Sequence, residues 1–274
     1  MQSRLRSAYC LVTTALVLLF LLLSLLSPSA PLSNQNSSSE TFAPNFFGDF
    51  EEWIQKGCEQ YGRLPINESL TAEVVVGKNE KFEDIQDALD AGYLCVYLKK
   101  QRFNITKSIR PPKEDFYIIS NGAEIVAVEP MWAIVDICTV RYAYLDGLFI
   151  NGNGLAEKCI DALREPSQVP NHQICNCKIW GAKFANIDFT ACEDSLIFNC
   201  WIDGRKINDT PDAITEYGIK IGEFSDGYKT GGQINLIHCI IGFHRKADIY
   251  IKKHCSIEVC ELSLGEQNNV EHRD

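Results

Sequence analysis

ICNCKIWG at 174–181 returns as IFNCWIDG at 197–204, so that Asn-Cys-x-Ile-x-Gly recurs with a step of 23 residues. A weaker copy, LIHCIIG, occupies 236–242, and a fourth, IEVCELS, runs from 257 to 263. Between the copies lie short β-branched segments, ANIDF at 185–189, YGIKI at 217–221 and ADIYI at 247–251. The steps from Cys177 to Ile187, Cys200 to Ile219 and Cys239 to Ile249 are 10, 19 and 10 residues, and the steps back to the next cysteine are 13, 20 and 11. The excess in the middle repeat therefore divides into two insertions, near 205–216 and 222–233, on either side of YGIKI.

Short strands, a period in the low twenties and a small residue returning at one strand position describe a solenoid of stacked coils. Successive coils pair as parallel strands about 4.8 Å apart, so equivalent side chains form ladders. Alternation sends Cys177, Cys200, Cys239 and Cys260 inward with Ile179, Ile202, Ile241 and Leu262, and sends Trp180, Trp201, Ile174, Ile197 and Ile240 outward. A cysteine stacks there as a small hydrophobe; buried free thiols are the favoured reading and inter-coil disulfides the alternative. His238 falls above Asn199 and Asn176 in an outward polar row.

Upstream, KFEDIQDALDAG at 81–92 puts Phe82, Ile85, Ala88 and Leu89 on one helical face, ended by Gly92, and the strand CVYLKK follows, then QRFNITKSI at 101–109. This order resembles the entry to the pectate-lyase-like right-handed parallel β-helix superfamily, over about residues 75 to 265. The resemblance implies an all-β, right-handed single-stranded parallel β-helix at 73–265 whose open N-terminal end is covered by a capping helix. It also implies kinship with polysaccharide lyases and hydrolases, tailspikes, adhesins and inert surface proteins. The polygalacturonase motifs Asn-Thr-Asp, Asp-Asp, Gly-His-Gly and Arg-Ile-Lys are absent from this chain, as are the pectate-lyase arginine signatures.

The 274 residues carry 26 Lys+Arg against 36 Asp+Glu, a net charge of −10, with 46% hydrophobic residues and 12 cysteines. An acidic body of this kind is a poor match for nucleic acid, whose phosphates need a basic surface. Residues 11–26, LVTTALVLLFLLLSLL, follow Arg4 and Arg6 and form a hydrophobic export signal within 1–30. Taken back to Ala8, the stretch reaches the lower limit of a membrane span, about 17 residues. An uncleaved anchor through residues 8–26 is slightly favoured over a cleaved signal, and the positive-inside rule then places the body outside the cytosol, as a secreted or type II membrane protein. A polar stalk follows at 31–45, and 46–72 contains FFGDFEEWIQKGCEQYG, read as a helix packing on the solenoid with Cys58 bonded to Cys95. Sequons at Asn36, Asn67, Asn104 and Asn208 are candidate glycosylation sites, and 266–274 is a polar tail.

Candidate chemistry lies on the outward side of the second strand, where Asn186 and Asp188, Gly218 and Lys220, and Asp248 and Tyr250 would stack in three coils. Asp188, Lys220 and Asp248 form the candidate catalytic set. β-Elimination needs a base beside a uronate carboxylate and a positive charge for the resulting anion; Lys220 would supply either, and Asp188 with Asp248 would hold calcium, the one cofactor these residues suggest. The competing and favoured reading is a solvated salt-bridge ladder. Hydrolysis would instead use two carboxyls drawn from Asp203, Asp212, Glu216, Glu193 and Asp194. Trp180 and Trp201 offer a stacking surface for a pyranose, unless the segment at 46–60 covers them, which is the favoured reading; Asp212 and Glu216 in the first insertion and Tyr250 on the second strand are the other substrate-binding candidates. The two insertions are expected to wall a groove over Asp188, Lys220 and Asp248. The expected function is a non-catalytic surface glycoprotein that binds glycans or partner proteins; the alternative is a polysaccharide lyase or glycoside hydrolase.

Overall fold

The computed structural model describes residues 72–112, 115–162, 171–190, 192, 195–205, 213–222, 233–252, 255–264 and 270–273. The expected signal, stalk, side-packing helix and most of both insertions lie outside these. Among the described residues no helix is long and apolar enough to cross a membrane. The elements begin with β1 (Val74–Val76), α1 (Ile85–Asp90), β2 (Cys95–Leu98), β3 (Arg102–Ile105), β4 (Phe116–Ala127), β5 (Met131–Asp136), β6 (Tyr142–Asn151) and β7 (Ala156–Asp161). Then come β8 (Asn171–Cys175), β9 (Lys178–Trp180), β10 (Ala185–Asp188), β11 (Ser195–Phe198), β12 (Trp201–Asp203), β13 (Tyr217–Ile221), β14 (Gln233–Gly242), β15 (Ala247–Lys252), β16 (Ser256–Leu264) and β17 (Val270–Arg273).

Eleven strands form one sheet, ordered β1-β2-β4-β6-β8-β11-β14-β12-β9, with β3 on β4 and β16 on β14. Six form a second, ordered β17-β15-β13-β10-β7-β5. Pairing between these strands is parallel throughout. From β4 onward the chain alternates between the sheets, an arrangement compatible with a solenoid of stacked circuits. The core lies between the sheets. Leu145, Ile174, Ile197 and Leu236 enter it from the first sheet, and Ile160, Ile187, Ile219 and Ile249 from the second. Each fully buried aliphatic side chain contributes about 1.5–3 kcal/mol of transfer energy.

The Asn-Cys repeat has a local cause. Asn176, Asn199 and His238 all have positive φ, 53°, 52° and 50°, and bend the first sheet once per circuit. Asparagine enters this left-handed region more readily than most side chains. One circuit earlier the bend is made by Gly147, φ 67°, where a Cβ would lie 2.1 Å from the Ser120 carbonyl oxygen. The next residue turns inward and its thiol donates to the carbonyl just before the bend: Cys177 to Cys175 at 3.1 Å, Cys200 to Phe198 at 3.2 Å and Cys239 to Ile237 at 3.4 Å. Each thiol also reaches a carbonyl of the preceding circuit, on Leu145, Ile174 and Ile197 respectively. These cysteines are free thiols, and burial pushes the Cys239 thiol up to about 12. The amides form their own ladder, Asn199 Nδ2 donating to Asn176 Oδ1 at 2.8 Å and Asn176 Nδ2 to Asp146 Oδ1 at 2.7 Å.

The structure corrects four expectations. Ile174 and Ile197 are fully buried in the core rather than outward, because the left-handed residue between them and the cysteine breaks the period-two phase. Cys260 is not the next rung of the ladder: it lies opposite Ile237, and Leu262 lies opposite Cys239. Matching by cysteine identity displaced that copy by two residues; the position opposite His238 is Glu261, immediately before Leu262. Phe82 is not on the helix but bridges Val76, since Asp84 caps α1 by accepting from the Gln86 and Asp87 amides. Ile85, Ala88 and Leu89 are the buried face. The 266–274 tail contains β17, paired with β15 through Ile249–Val270 and Tyr250–Glu271.

Replacing Asn199 with Ala should destabilise the fold by about 2–4 kcal/mol, combining the left-handed cost of roughly 1–2 kcal/mol with the loss of its buried hydrogen bond to Asn176 Oδ1. Asn199→Gly keeps the φ and should lose less. Urea denaturation of the two variants checks the order.

Candidate functional site

The outward column of the second sheet runs Asp136, Asp161, Asp188, Lys220, Tyr250, one residue per strand from β5 to β15. Three stacked aspartates would repel one another, and basic side chains answer each. Lys158 Nζ is 3.0 Å from Asp161 Oδ1 and 2.8 Å from Asp188 Oδ2, with both carboxylates and the ammonium almost fully buried. Lys220 Nζ lies 3.3 Å from Asp188 and 2.8 Å from Thr190 Oγ1, and Arg110 Nε is 2.9 Å from Asp136. Trp132 Nε1 donates to Asp161 Oδ2 at 2.5 Å while its ring lies 4.7 Å over Lys158 Nζ. Burial by itself would raise the Asp188 carboxyl, but Lys220 and Lys158 outweigh it and hold the group below the usual carboxylate range. Burial likewise opposes the Lys158 charge, and Asp188 with Asp161 overcomes it, raising its pKa. Both groups are therefore locked in their charged forms near neutral pH, with no proton for Asp188 to give and no lone pair on Lys158.

Aromatic rings flank this column. Phe184 and Tyr217 meet edge-on at 5.5 Å, and Tyr217 and Tyr250 are tilted at 5.2 Å, so the rings climb one circuit at a time. Trp132 is 55% exposed, the most open of the apolar side chains on this face. Glu216 pairs with Lys246 at 2.6 Å beside Tyr217, and Glu157 with Lys183 at 3.3 Å below it.

The expected set of Asp188, Lys220 and Asp248 is only partly brought together. Asp188 and Lys220 are paired, but Asp248 is buried at the corner between the sheets, its Oδ1 2.7 Å from His244 Nδ1. His244 Nε2 is 3.1 Å from Asn186 Nδ2, which also donates to the Asp203 carbonyl at 2.8 Å. A Cβ at Gly218 would lie 2.7 Å from the His244 ring, so this glycine makes room for it. Asn186 and Asp248 are thus interior polar groups rather than outward ones, and Asp188 and Asp248 do not share a calcium site. Among the described residues no group of three or more His, Cys, Asp or Glu side chains is placed to hold a metal ion.

Trp180 and Trp201 face the outside of the first sheet, yet each is only 5% exposed, so neither presents an open stacking surface. Lys178 Nζ lies 5.3 Å from the first ring and 5.9 Å from the second, and burial lowers its pKa to about 8. The segment 46–60, expected to cover them, lies outside the described residues, as do Asp212, Glu193 and Asp194. Asp203 is fully buried and held by Arg205 through Nε at 3.1 Å and Nη2 at 2.9 Å, with the guanidinium stacked 3.7 Å over Phe243. The first insertion is drawn together at its base by an antiparallel bridge between Arg205 and Ala213. Asn104 is exposed on β3, and its side chain accepts from Arg102 Nε at 2.9 Å. Asn36, Asn67 and Asn208 lie outside the described residues. Cys95 is a buried free thiol on the outside of the first sheet, packed with Ile119, Tyr144, Cys175 and Phe198; Cys58 lies outside the described residues.

No match is found among protein-family models, curated proteins or solved structures.

Lys158, Asp161, Asp136 and Trp132 escape a reading that begins at the cysteine repeat. Their signal is the spacing of the aspartates, 25 residues from Asp136 to Asp161 and 27 from Asp161 to Asp188, which continues the period upstream of the Asn-Cys copies.

Proposed function

We propose that the chain is a right-handed parallel β-helix of the pectate-lyase-like kind, with α1 closing its first circuit. Residues 8–26 export it or anchor it with the body outside the cytosol, and it acts there as a non-catalytic glycan-binding surface glycoprotein. The observation that carries the reading is the outer face of the second sheet, where exposed Trp132 and the Phe184, Tyr217 and Tyr250 rings border a column of carboxylates already closed by lysines. Aromatic faces stack on the apolar side of a pyranose, and carboxylates and ammonium groups meet its hydroxyls. Closed ion pairs favour binding over turnover, since general acid–base catalysis needs a group that exchanges a proton near the working pH. The sequon at exposed Asn104 fits an exported, glycosylated surface.

Glycan-array screening of the full-length protein, followed by calorimetry on the best ligand, tests this. Trp132→Ala and Tyr250→Ala should each weaken binding by about tenfold, equivalent to about 1.4 kcal/mol, while retaining a cooperative melt. The same polymers should show no new reducing or unsaturated ends. Unchanged binding in both variants, or chain cleavage lost in Asp188→Asn, overturns the reading.

A further inference from the structure

We propose that the acidic amphipathic segment 46–60 docks on the outer face of the first sheet and closes a second hydrophobic core there; this is independent of the glycan-binding reading. Cys95, Ile119, Tyr144, Cys175 and Phe198 form an apolar cluster on that face, none of them more than 6% exposed. They come from β2, β4, β6, β8 and β11, neighbours in one sheet. Among the described residues the partly buried side chains packed against them, such as Tyr117 and Ile237, belong to strands of that sheet too. One face of a single sheet does not bury its own side chains; a second layer has to lie on it. Since the burial is reached within one chain, the layer is supplied by the chain itself and not by a partner.

Sequence, position and length select 46–60. Phe46, Phe50, Trp53 and Ile54 recur at helical spacing with Tyr61 on the same side, and Glu51, Glu52 and Glu59 fall opposite. The stretches outside the described residues and downstream of β1, such as 163–170, 206–212 and 223–232, hold at most two large apolar residues each. The chain also enters the fold beside the cluster. Glu73 N donates to the Cys95 carbonyl at 2.8 Å, and the Glu73 carboxylate accepts from the Leu94 and Cys95 amides at 2.7 and 3.2 Å. From β2 to β11 the cluster covers four strand spacings, about 19 Å. As a helix, the fifteen residues 46–60 measure about 22 Å. The link 61–71 reaches about 36–40 Å when extended, enough to set that helix anywhere along the cluster. A partner that needs this face has to displace 46–60 first.

Two sets of thiols test this. Cys175 reports on the outer layer, and Cys200 and Cys239, in the inner ladder, report on the fold. The full-length double variant Phe50→Asp with Trp53→Asp is pulsed with iodoacetamide, and the modified cysteines are read by peptide mass spectrometry. Cys175 should be alkylated at least about tenfold faster than in the parent while Cys200 and Cys239 stay protected, because the two charges open the outer layer and leave the core closed. A Cys175 that stays protected in the folded variant overturns the proposal. If all three thiols react, the fold itself has been lost, and the decision passes to a second protein in which photoreactive benzoylphenylalanine replaces Trp53. Its cross-links should fall on peptides of β2 to β11 in the same chain. Cross-links to the second sheet, cross-links to a second copy, or none to the first sheet overturn the docking.

Discussion

Lys158→Met should lower the stability of the fold by about 3–5 kcal/mol and the melting temperature by on the order of 10 °C. Lys158 is nearly fully buried and lies within 3.0 Å of both Asp161 and Asp188, so its removal takes the closest cation from two buried carboxylates, leaving Asp188 to Lys220 and Thr190 and Asp161 with the Trp132 indole beside it. Lys158→Met combined with Asp161→Asn and Asp188→Asn should recover much of the loss, because it removes the stranded charges as well as the cation. The pH dependence follows from the same cluster. Asp188 is depressed in the folded state, so its contribution is present above the ordinary carboxylate pKa of about 3.9 and is lost as pH falls through the folded value. Lys158 is raised, so its contribution is present below the ordinary lysine pKa of about 10.4 and is lost as pH rises through the folded value. Thermal melts from acid to alkaline pH should show a plateau between these limits that Lys158→Met flattens at both ends. A variant that melts with the parent would mean the cluster adds nothing to stability.

Cys200→Asp should abolish the folded state. Cys200 is fully buried between Cys177 and Cys239 in the ladder, and its thiol donates to the Phe198 and Ile174 carbonyls. A carboxylate there has no cation within the core and faces carbonyl oxygens, a cost beyond about 4–5 kcal/mol against a total stability of about 5–15 kcal/mol. Cys200→Ala loses the donor without adding bulk to the ladder, at about 1–3 kcal/mol. Circular dichroism and urea denaturation distinguish the two, and a cooperative, parent-like Cys200→Asp would refute the inward ladder. In the folded parent, Cys177, Cys200 and Cys239 should resist alkylation, because their sulfurs are buried in the core.

Much of the scaffold is legible from residues 174–264. The 23-residue repeat predicts parallel ladders, and Ile187, Ile219 and Ile249 do stand opposite one another in the second sheet. The two insertions are also visible in the spacing, because strand steps are additive along a regular scaffold. Asp188, Lys220 and Tyr250 fall in one column as alternation requires.

What the sequence leaves undecided is decided at the bends and in three dimensions. Alternation assigns faces only while the backbone stays extended, and one left-handed residue at Asn176 or Asn199 shifts the phase, which is why Ile174 and Cys177 both point inward. The corner between the sheets likewise buries Asn186 and Asp248 around His244, although their spacing from Asp188 and Tyr250 marks them as outward. Lys158 meets Asp188 from 30 positions away, and Trp132 meets Asp161 from 29, contacts set by stacking of circuits rather than by any local pattern. Local propensity and period fix which segments become strands and which strands pair. The protonation and accessibility of a side chain depend on the neighbours that other circuits bring to it, and only the assembled sheets supply those.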